Sequence, residues 1–335
     1  MKKIVQLLFF IPMMLLMTGC HANYLDMAGQ LEVTVLKLDT GYYFSPTWMS
    51  NGKIVFNYAA SMDYASQDTI VPTLRIYDIN EKTWSDISVS NSDNCYILNY
   101  LFLQELPNHH LGFLSTCLPR DSDVFYKIQS INIITGDTKV LVATEFRGAP
   151  GTFTFSPDMA EMVQENSIGK YLSNQLFYNK GETWIRILPN FTRAMFPDWS
   201  PLYREIAFWG TEAYPGGNPD DFKTLPQILN LSIYPWDLYV STPNGEDSQK
   251  ILSSVSDPYK IKWSPNEKTI AFSGTYANSP GVWIINPTTH ELTRIWSKRA
   301  DFDWSPDGNS IVILDQETDE IGKILKQDVS IITLK

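Results

Sequence analysis

The sequence has few of the residues from which catalytic and metal sites are most often built. Its 335 residues include only 4 histidines and 3 cysteines, and charged residues make up 19%. No histidine spacing matches a zinc site, and neither a Gly-x-Ser-x-Gly sequence nor a glycine-rich phosphate loop is present. His109 and His110 fall in a predicted turn, where we expect solvated side chains. The sequence therefore predicts no catalytic residue, no metal ligand and no cofactor.

Positive charge is also scarce. The formal net charge is −11, and a chain this acidic repels the phosphates of nucleic acids and the head groups of anionic lipids. Nucleic acid is therefore excluded as a partner. Any attachment to a membrane has to be covalent or hydrophobic.

Aromatic residues, by contrast, are abundant. The chain has 10 Trp, 17 Tyr and 17 Phe, and hydrophobic residues make up 44% of it. This composition argues against disorder. It favours a fold of many short strands over one of long solvated helices.

The first 20 residues contain an export signal. Lys2 and Lys3 precede an apolar run over residues 4–17, which is too short for a transmembrane helix, and Thr18 and Gly19 then precede Cys20. Small residues before a cysteine resemble the lipobox of bacterial lipoproteins. The resemblance implies that residues 1–19 are removed and that Cys20 carries diacylglycerol, so we expect an exported, lipid-anchored protein outside the cytoplasm.

The lipobox has one departure, because Met17 stands where leucine is usual. The alternative is an ordinary signal peptide with an incidental cysteine. Two or more acyl chains on one cysteine would anchor the protein stably.

A short motif repeats along the chain. An aromatic residue is followed by Ser-Pro and then, a few residues later, by an apolar run; the copies begin at Phe44, Phe155, Trp199, Trp263 and Trp304. Ser156 and Ser200 are 44 residues apart, and Ser264 and Ser305 are 41 apart. A period of this length, with several strands in each unit, is typical of propeller blades.

The chemistry of the motif fits a hairpin turn. In the copy Ser305-Pro306-Asp307-Gly308, proline presets φ, aspartate binds nearby backbone N–H groups and glycine accepts a positive φ. These repeats resemble those of TolB-like propellers. The resemblance implies an all-β, six-bladed propeller of four-stranded blades over residues 31–335, after a tether at 20–30.

The last blade lacks one strand if the blades are counted along the chain. Leu31, Val33 and Val35 alternate with Glu32 and Thr34, which is the pattern of a strand. We expect residues 31–38 to complete blade six, close the ring and cover an exposed edge. The alternative is that this segment belongs to blade one alone.

The two remaining cysteines fall in the second blade. A hairpin turning near Leu106 and Pro107 would place Cys95 opposite Cys117. Since cross-strand neighbours come within disulfide reach and the protein is predicted to be exported, we expect a disulfide. The alternative is a pair of buried free thiols.

Blade four contains an insertion over residues 211–235 between its second and third strands. Long loops on a rigid scaffold often carry binding sites, and aromatic residues are favoured anchors. The candidate binding face consists of Trp209, Tyr214, Phe222, Tyr234 and Trp236. The alternative is a flap that merely covers blade four.

These patterns favour a noncatalytic lipoprotein of the cell envelope that binds a protein or glycan through the face bearing the insertion. Resemblance to TolB-like propellers implies protein partners, but the identity of the partner is not indicated. The alternative is a carbohydrate-active or other propeller enzyme, which would need carboxylates converging on the central channel.

Overall fold

The computed structural model describes residues 24–38, 41–60, 73–89, 95–97, 103–117, 125–144, 150–168, 173–181, 183–202, 204–212, 235–319 and 323–334. Over these ranges the chain forms 26 strands and no helix. The strands make six sheets, which surround a central channel as the blades of a propeller. The prediction of an all-β, six-bladed fold is confirmed.

Blades one to three follow one another along the chain. Blade one contains β3 (Tyr42–Trp48), β4 (Lys53–Ala59), β5 (Thr73–Asp78) and β6 (Thr83–Ser88). Blade two contains β7 (Cys95–Ile97), β8 (Gln104–Leu106), β9 (His110–Cys117), β10 (Phe125–Asn132) and β11 (Thr138–Thr144). Blade three contains β12 (Pro150–Phe155), β13 (Glu161–Ile168), β14 (Ser173–Lys180) and β15 (Thr183–Arg186). In blade two, β7 and β8 both pair with β9 and together take the place of a single first strand.

Blades four to six complete the ring. Blade four contains β16 (Phe191–Trp199), β17 (Ile206–Glu212), β18 (Trp236–Ser241) and β19 (Gln249–Val255). Blade five contains β20 (Ile261–Trp263), β21 (Ile270–Tyr276), β22 (Ser279–Ile285) and β23 (Leu292–Trp296). Blade six contains β24 (Asp301–Trp304), β25 (Ser310–Thr318) and β26 (Ile324–Thr333).

The fourth strand of blade six comes from the N-terminal part of the chain. Strand β2 (Glu32–Leu36) pairs antiparallel with β26, and Leu36 lies opposite Val329. Closure of the ring by the N-terminal strand is therefore confirmed. It joins the two ends of the described chain within one sheet, so the edge of β26 is paired rather than open.

A further short strand precedes β2. Strand β1 (Leu25–Asp26) pairs parallel with β23 and becomes a fifth strand at the outer edge of blade five. Part of the segment predicted as a tether, residues 20–30, is thus attached to the propeller from Tyr24 onward.

Apolar side chains fill the seams between neighbouring blades. Between blades four and five, the fully buried rings of Trp209 and Phe272 meet edge to face with centroids 5.4 Å apart, and Trp283 belongs to the same cluster. Burying one large apolar side chain contributes about 1.5–3 kcal/mol. Each seam therefore holds its two blades together mainly by hydrophobic contact.

The repeated motif forms the predicted turn between the first and second strands. In blade six, the Ser305 N–H donates to the Ser310 carbonyl at 2.8 Å, and the Gly308 N–H donates to the Ser305 carbonyl at 2.8 Å. Gly308 has a φ of 70°, which glycine adopts without the strain that a Cβ would cause. The Ser305 hydroxyl also donates to Asp307 at 2.5 Å.

In blade one, the turn predicted from the sequence after Phe44 is at the wrong residues. Phe44, Ser45 and Pro46 lie inside β3, at an irregularity of the pairing with β4. The turn occupies residues 49–52 instead, where the Gly52 N–H donates to the Met49 carbonyl at 3.1 Å. Trp48, rather than Phe44, therefore holds the position of the repeated aromatic residue.

Blade two departs furthest from the repeat. Leu106 takes the place of the aromatic residue, and the turn that follows contains Pro107, Asn108 and His109. On the other side of β9, Cys95 of β7 is the register partner of Cys117. This pairing is the backbone arrangement that a disulfide requires, and the disulfide itself stays a prediction.

Candidate functional site

The two mouths of the channel differ. The turns between first and second strands lie at one end, here called the turn face. Strand β17 ends and β18 begins at the opposite end, here called the insertion face, because they are a second strand and the third strand that follows it. A cavity of about 450 Å³ opens at the channel mouth on the turn face.

The wall of this cavity is built from the repeated motif. Five blades contribute the aromatic residue that ends the first strand, here called the closing aromatic: Trp48, Phe155, Trp199, Trp263 and Trp304. Five prolines form much of the rim: Pro107, Pro157, Pro201, Pro265 and Pro306. Because each motif sits at the same level of its blade, the ring brings together residues that lie far apart in sequence.

Charged side chains lie among the aromatic residues. Three carboxylates, those of Glu105, Asp198 and Asp303, line the cavity together with the ammonium group of Lys262. Lys262 Nζ pairs with Asp198 Oδ1 at 3.0 Å. One carboxylate is thus matched by the single lysine of the lining, and the cavity retains an excess of negative charge.

These carboxylates also bind the backbone of a neighbouring blade. Asp198 Oδ2 accepts the Trp263 N–H at 2.7 Å, and Asp303 Oδ2 accepts the Trp48 N–H at 2.9 Å. Both aspartates stand directly before a closing aromatic, which we call the clamp position. Thr154 occupies the same position in blade three, and its Oγ1 accepts the N–H of Trp199 at 3.0 Å.

Blade two uses different residues for this purpose. Gln104 Oε1 accepts the Phe155 N–H of blade three at 3.1 Å, and Glu105 Oε1 accepts the Ser50 N–H of blade one at 2.7 Å. Polar side chains at the cavity therefore hold consecutive blades together as well as giving the cavity its charge.

Burial changes the proton affinity of these groups. Burial raises the pKa of Glu105, and the hydrogen bonds from Ser50 oppose that rise. Burial also raises the pKa of Asp198, against the opposing charge of Lys262. Burial alone would lower the pKa of Lys262, but the charges of Asp198 and Asp303 outweigh it and leave that pKa raised.

A buried ion pair joins two adjoining blades, five and six, outside the lining of this cavity. Lys260 of blade five is 3% exposed, and its Nζ lies 3.0 Å from Asp301 Oδ1 of blade six and 3.3 Å from the Pro46 carbonyl oxygen of blade one. A smaller cavity of about 20 Å³ adjoins Lys260 and Lys262. The two contacts of Lys260 thus tie blades five, six and one together.

Two ring nitrogens at the cavity have no hydrogen-bond partner in the described part of the chain. They are Trp263 Nε1 and His109 Nδ1. Sequence reasoning treated His109 as a solvated turn residue, but its side chain is half-buried and lines the cavity. The signal that was missed is the position of Pro107-Asn108-His109, which corresponds to the turn of the other blades.

Trp209, predicted for the binding face, lies elsewhere. Its side chain is fully buried between blades four and five, and its Nε1 donates to the Tyr259 carbonyl at 3.1 Å. The prediction that Trp209 contributes to a binding surface is therefore wrong. The apolar face of β17 turns it into the seam, where it fills space between the blades.

Trp236, the other described member of that set, is half-buried at the start of β18. The guanidinium carbon of Arg193 lies 4.2 Å from the centroid of its ring, a cation–π contact. Burial lowers the pKa of Arg193 to about 10. Tyr214, Phe222 and Tyr234 lie outside the described residues, as does Cys20.

The described part of the chain contains neither a cluster of metal-binding side chains nor a membrane-spanning helix. Among its residues, no group of three or more His, Cys, Asp or Glu could hold a metal ion. In the same ranges, no helix is long and apolar enough to cross a membrane.

Solved structures of other proteins share the fold of this chain. No family model matches the chain, and no curated protein matches it either. TolB from Acinetobacter baumannii matches with a TM-score of 0.51 and 14% identity, over 78% of this chain and 60% of that one. This chain therefore spans about 60% of the length of that TolB.

Two other structures are similar over much of the chain. A putative TolB from Agrobacterium tumefaciens has a TM-score of 0.49 and 12% identity, over 79% of this chain and 91% of that one. An oligogalacturonate lyase in complex with manganese has a TM-score of 0.49 and 12% identity, over 93% of this chain and 95% of that one. At these identities the likeness concerns the fold, which is that of a TolB-like six-bladed propeller.

Proposed function

We propose that the protein is a noncatalytic binding module of the cell envelope, exported by its N-terminal signal and held at a membrane by acyl chains on Cys20. Its propeller takes a segment of a partner protein into the turn-face cavity. The export signal and the TolB-like fold support the location. The cavity supports the binding role.

One observation carries this proposal: the cavity combines an aromatic wall with charged groups that are already bonded within the protein. Asp198, Asp303 and Glu105 each accept a backbone N–H of a neighbouring blade. Groups fixed in this way suit a rigid recognition surface, which loses little conformational entropy when a ligand binds.

The chemistry of the lining indicates what the partner presents. Tryptophan and proline side chains favour an apolar or aromatic residue. Three carboxylates against one lysine favour a cationic group. A lysine or arginine beside an apolar residue of an extended segment would satisfy both requirements.

The insertion face remains the competing location for binding, as predicted from the sequence. Trp236 and Arg193 form a half-buried platform where β18 begins, next to the 213–234 connection.

A comparison of partner recovery separates the two faces. Envelope proteins are crosslinked to the wild-type protein, to S50R, and to a variant whose 213–234 segment is shortened. Ser50 is exposed at the cavity, so an arginine there would occupy the mouth and pair with its carboxylates. We expect S50R to lose the partner that the shortened variant keeps.

Leu202→Arg is the matched control, because Leu202 is exposed on the turn face but does not line the cavity. It adds the same charge and should keep the partner. If the shortened variant loses the partner while S50R still recovers it in full, binding in the cavity is contradicted. The partner then binds at the insertion face.

An enzyme acting on carbohydrates is the second candidate, because Glu105 and Asp198 face the cavity and have raised pKa values, caused first by burial. Raised carboxyl pKa values occur in general acids. A panel of neutral and acidic oligosaccharides, incubated with the wild type and with E105Q, tests this. Cleavage by the wild type that E105Q abolishes would replace the binding proposal.

A further inference from the structure

The N-terminal segment is fastened to the outer edge of blade five. Two atoms of the Arg294 guanidinium, Nε and Nη2, donate to the two carboxylate oxygens of Asp26 at 3.2 and 2.6 Å. The Met27 N–H donates to the Arg294 carbonyl at 2.8 Å. A two-residue strand would be weak by itself, and this paired arginine–carboxylate contact reinforces it.

Tyr24 extends the attachment. Its ring meets that of Trp283 edge to face at a centroid distance of 4.8 Å, and its hydroxyl lies 3.2 Å from Ser279 Oγ. We call the segment from Tyr24 to Met27, with its contacts on blade five, the N-terminal clamp.

The N-terminal clamp leaves a short connection to the predicted lipid. Cys20 stands four residues before Tyr24, and four residues span at most about 14 Å when fully extended. An acylated Cys20 would therefore hold the outer edge of blade five close to the bilayer surface. This step rests on the proposed acylation of Cys20.

Exposed apolar side chains cluster at the same part of the ring. Of the eight exposed large apolar residues in the described chain, four belong to the outer strands of blades five and six: Leu25 (59% exposed), Val33 (40%), Val35 (66%) and Leu325 (61%). The other four are spread over blades two, three and four. We call the first group the apolar rim.

A lipid surface is the occupant that fits this rim. The chain has a net charge of −11 and is not attracted to anionic head groups, so contact with the bilayer has to be apolar. Valine and leucine side chains next to an acyl anchor can enter the interfacial region while the anchor keeps them near it.

We infer that the propeller rests on the membrane by the outer rim of blades five and six, with its channel axis along the membrane plane. Both channel mouths then open sideways to the surrounding solution, so the turn-face cavity and the insertion face are equally accessible to partners. An anchor on a long flexible tether would leave the orientation free.

The orientation is tested on the acylated protein in vesicles of neutral phosphatidylcholine, with a fluorophore attached to one introduced cysteine. V35C samples the apolar rim. I185C is the matched control, since Ile185 is 54% exposed on the outer strand of blade three, across the ring from blade six. The protein without an added cysteine gives the background from Cys95 and Cys117.

We expect a quencher attached to the lipid to reduce the V35C signal severalfold more than the I185C signal. Equal quenching at both sites, with an acylated Cys20 in the mass spectrum, overturns the orientation and leaves the anchor intact. An unmodified Cys20 and a protein that washes off the vesicles overturn both the anchor and the orientation.

The N-terminal clamp is tested by D26A in the V35C background. Its matched control is D86A, because Asp86 accepts from Arg75 in the same two-bond arrangement, at 2.8 and 2.9 Å, on the outer strands of blade one. We expect D26A to bring the V35C quenching down towards that of I185C while the protein stays on the vesicles, and D86A to leave it unchanged. Undiminished quenching in D26A overturns the N-terminal clamp as the cause of the orientation.

Discussion

At the residue scale, the clamp position shows how one side chain serves both the fold and the cavity. Asp198 and Asp303 receive a backbone N–H from the next blade and also supply negative charge at the channel mouth. The aromatic residue that follows each of them was recognisable in the sequence as part of a repeat. The role of the aspartate was not, because its partner lies 65 residues away for Asp198 and 255 for Asp303, on another blade.

Glu165 is a buried carboxyl outside the cavity, in the seam between blades three and four. Its Oε2 accepts from Thr152 Oγ1 at 2.9 Å and from the Phe196 N–H at 3.1 Å, and Asn174 donates to Oε1. Burial raises the pKa of Glu165, and these hydrogen bonds only partly oppose the rise. The folded protein therefore holds the proton of Glu165 more tightly than the unfolded chain does.

The sign of the pH dependence follows from this difference in proton affinity. A carboxyl whose pKa is raised on folding favours the folded state at low pH, and that contribution is lost as the pH rises through the raised pKa. A tenfold difference in proton affinity between the folded and unfolded states corresponds to about 1.4 kcal/mol. We expect E165Q, which has no proton to lose, to gain stability relative to the wild type as the pH rises from acidic to alkaline.

Urea unfolding of both proteins across this pH range measures the difference. Exposed E32Q provides the control for the glutamate-to-glutamine exchange itself. Parallel curves for the wild type and E165Q would show that Glu165 does not titrate in this way.

At the scale of the element, the sequence predicted the strands well where the motif was regular and poorly where the chain departed from it. In blade one, the Phe44-Ser45-Pro46 sequence resembles the repeat but lies within β3. Its sequence matches the motif, yet the pairing of β3 with β4 fixes Trp48 at the channel mouth. Register depends on contacts across strands, which a local pattern does not contain.

The register of β7 and β9 leads to a prediction about the cysteines. Cys95 lies opposite Cys117, and we expect the exported protein to contain a disulfide between them. C95S, C117S and the double variant should each lose about 2–4 kcal/mol of unfolding free energy. The three losses should be equal, because any one substitution breaks the same bond.

Mass spectrometry of the alkylated protein, without a reducing agent, counts the free thiols directly. Two alkylated thiols in the folded wild type, together with unchanged stability of the single variants, would favour the alternative of two free cysteines.

At the scale of the whole molecule, the ring is closed in two ways between its first and last blades. Strand β2 completes blade six, and Leu36 joins Tyr43 and Val312 in one buried cluster across the seam between blades six and one. Gln327 of blade six then receives the Tyr43 N–H at 2.9 Å and donates to the Tyr43 carbonyl at 2.7 Å. Its side chain replaces a strand partner that the seam does not provide.

We expect Q327A to destabilise the whole propeller by about 2 kcal/mol, since two hydrogen bonds of about 1 kcal/mol each are lost. Because the seam closes the ring, the effect should appear as a lower midpoint of a single unfolding transition. Exposed Gln249 provides the control, and Q249A should change the stability by less than about 0.5 kcal/mol. Equal midpoints for Q327A and the wild type would contradict the role of Gln327.

By itself the sequence determined the fold class, the number of blades, the closing strand and the strand register that places Cys95 opposite Cys117. Each of these depends on a repeated or alternating pattern, and such patterns are local properties of the chain. The tertiary structure decided which residues meet at the channel. It placed His109 in the cavity wall, buried Trp209 in a seam and clamped Tyr24 to blade five. These contacts join residues up to hundreds of positions apart, and only the closed ring brings them together.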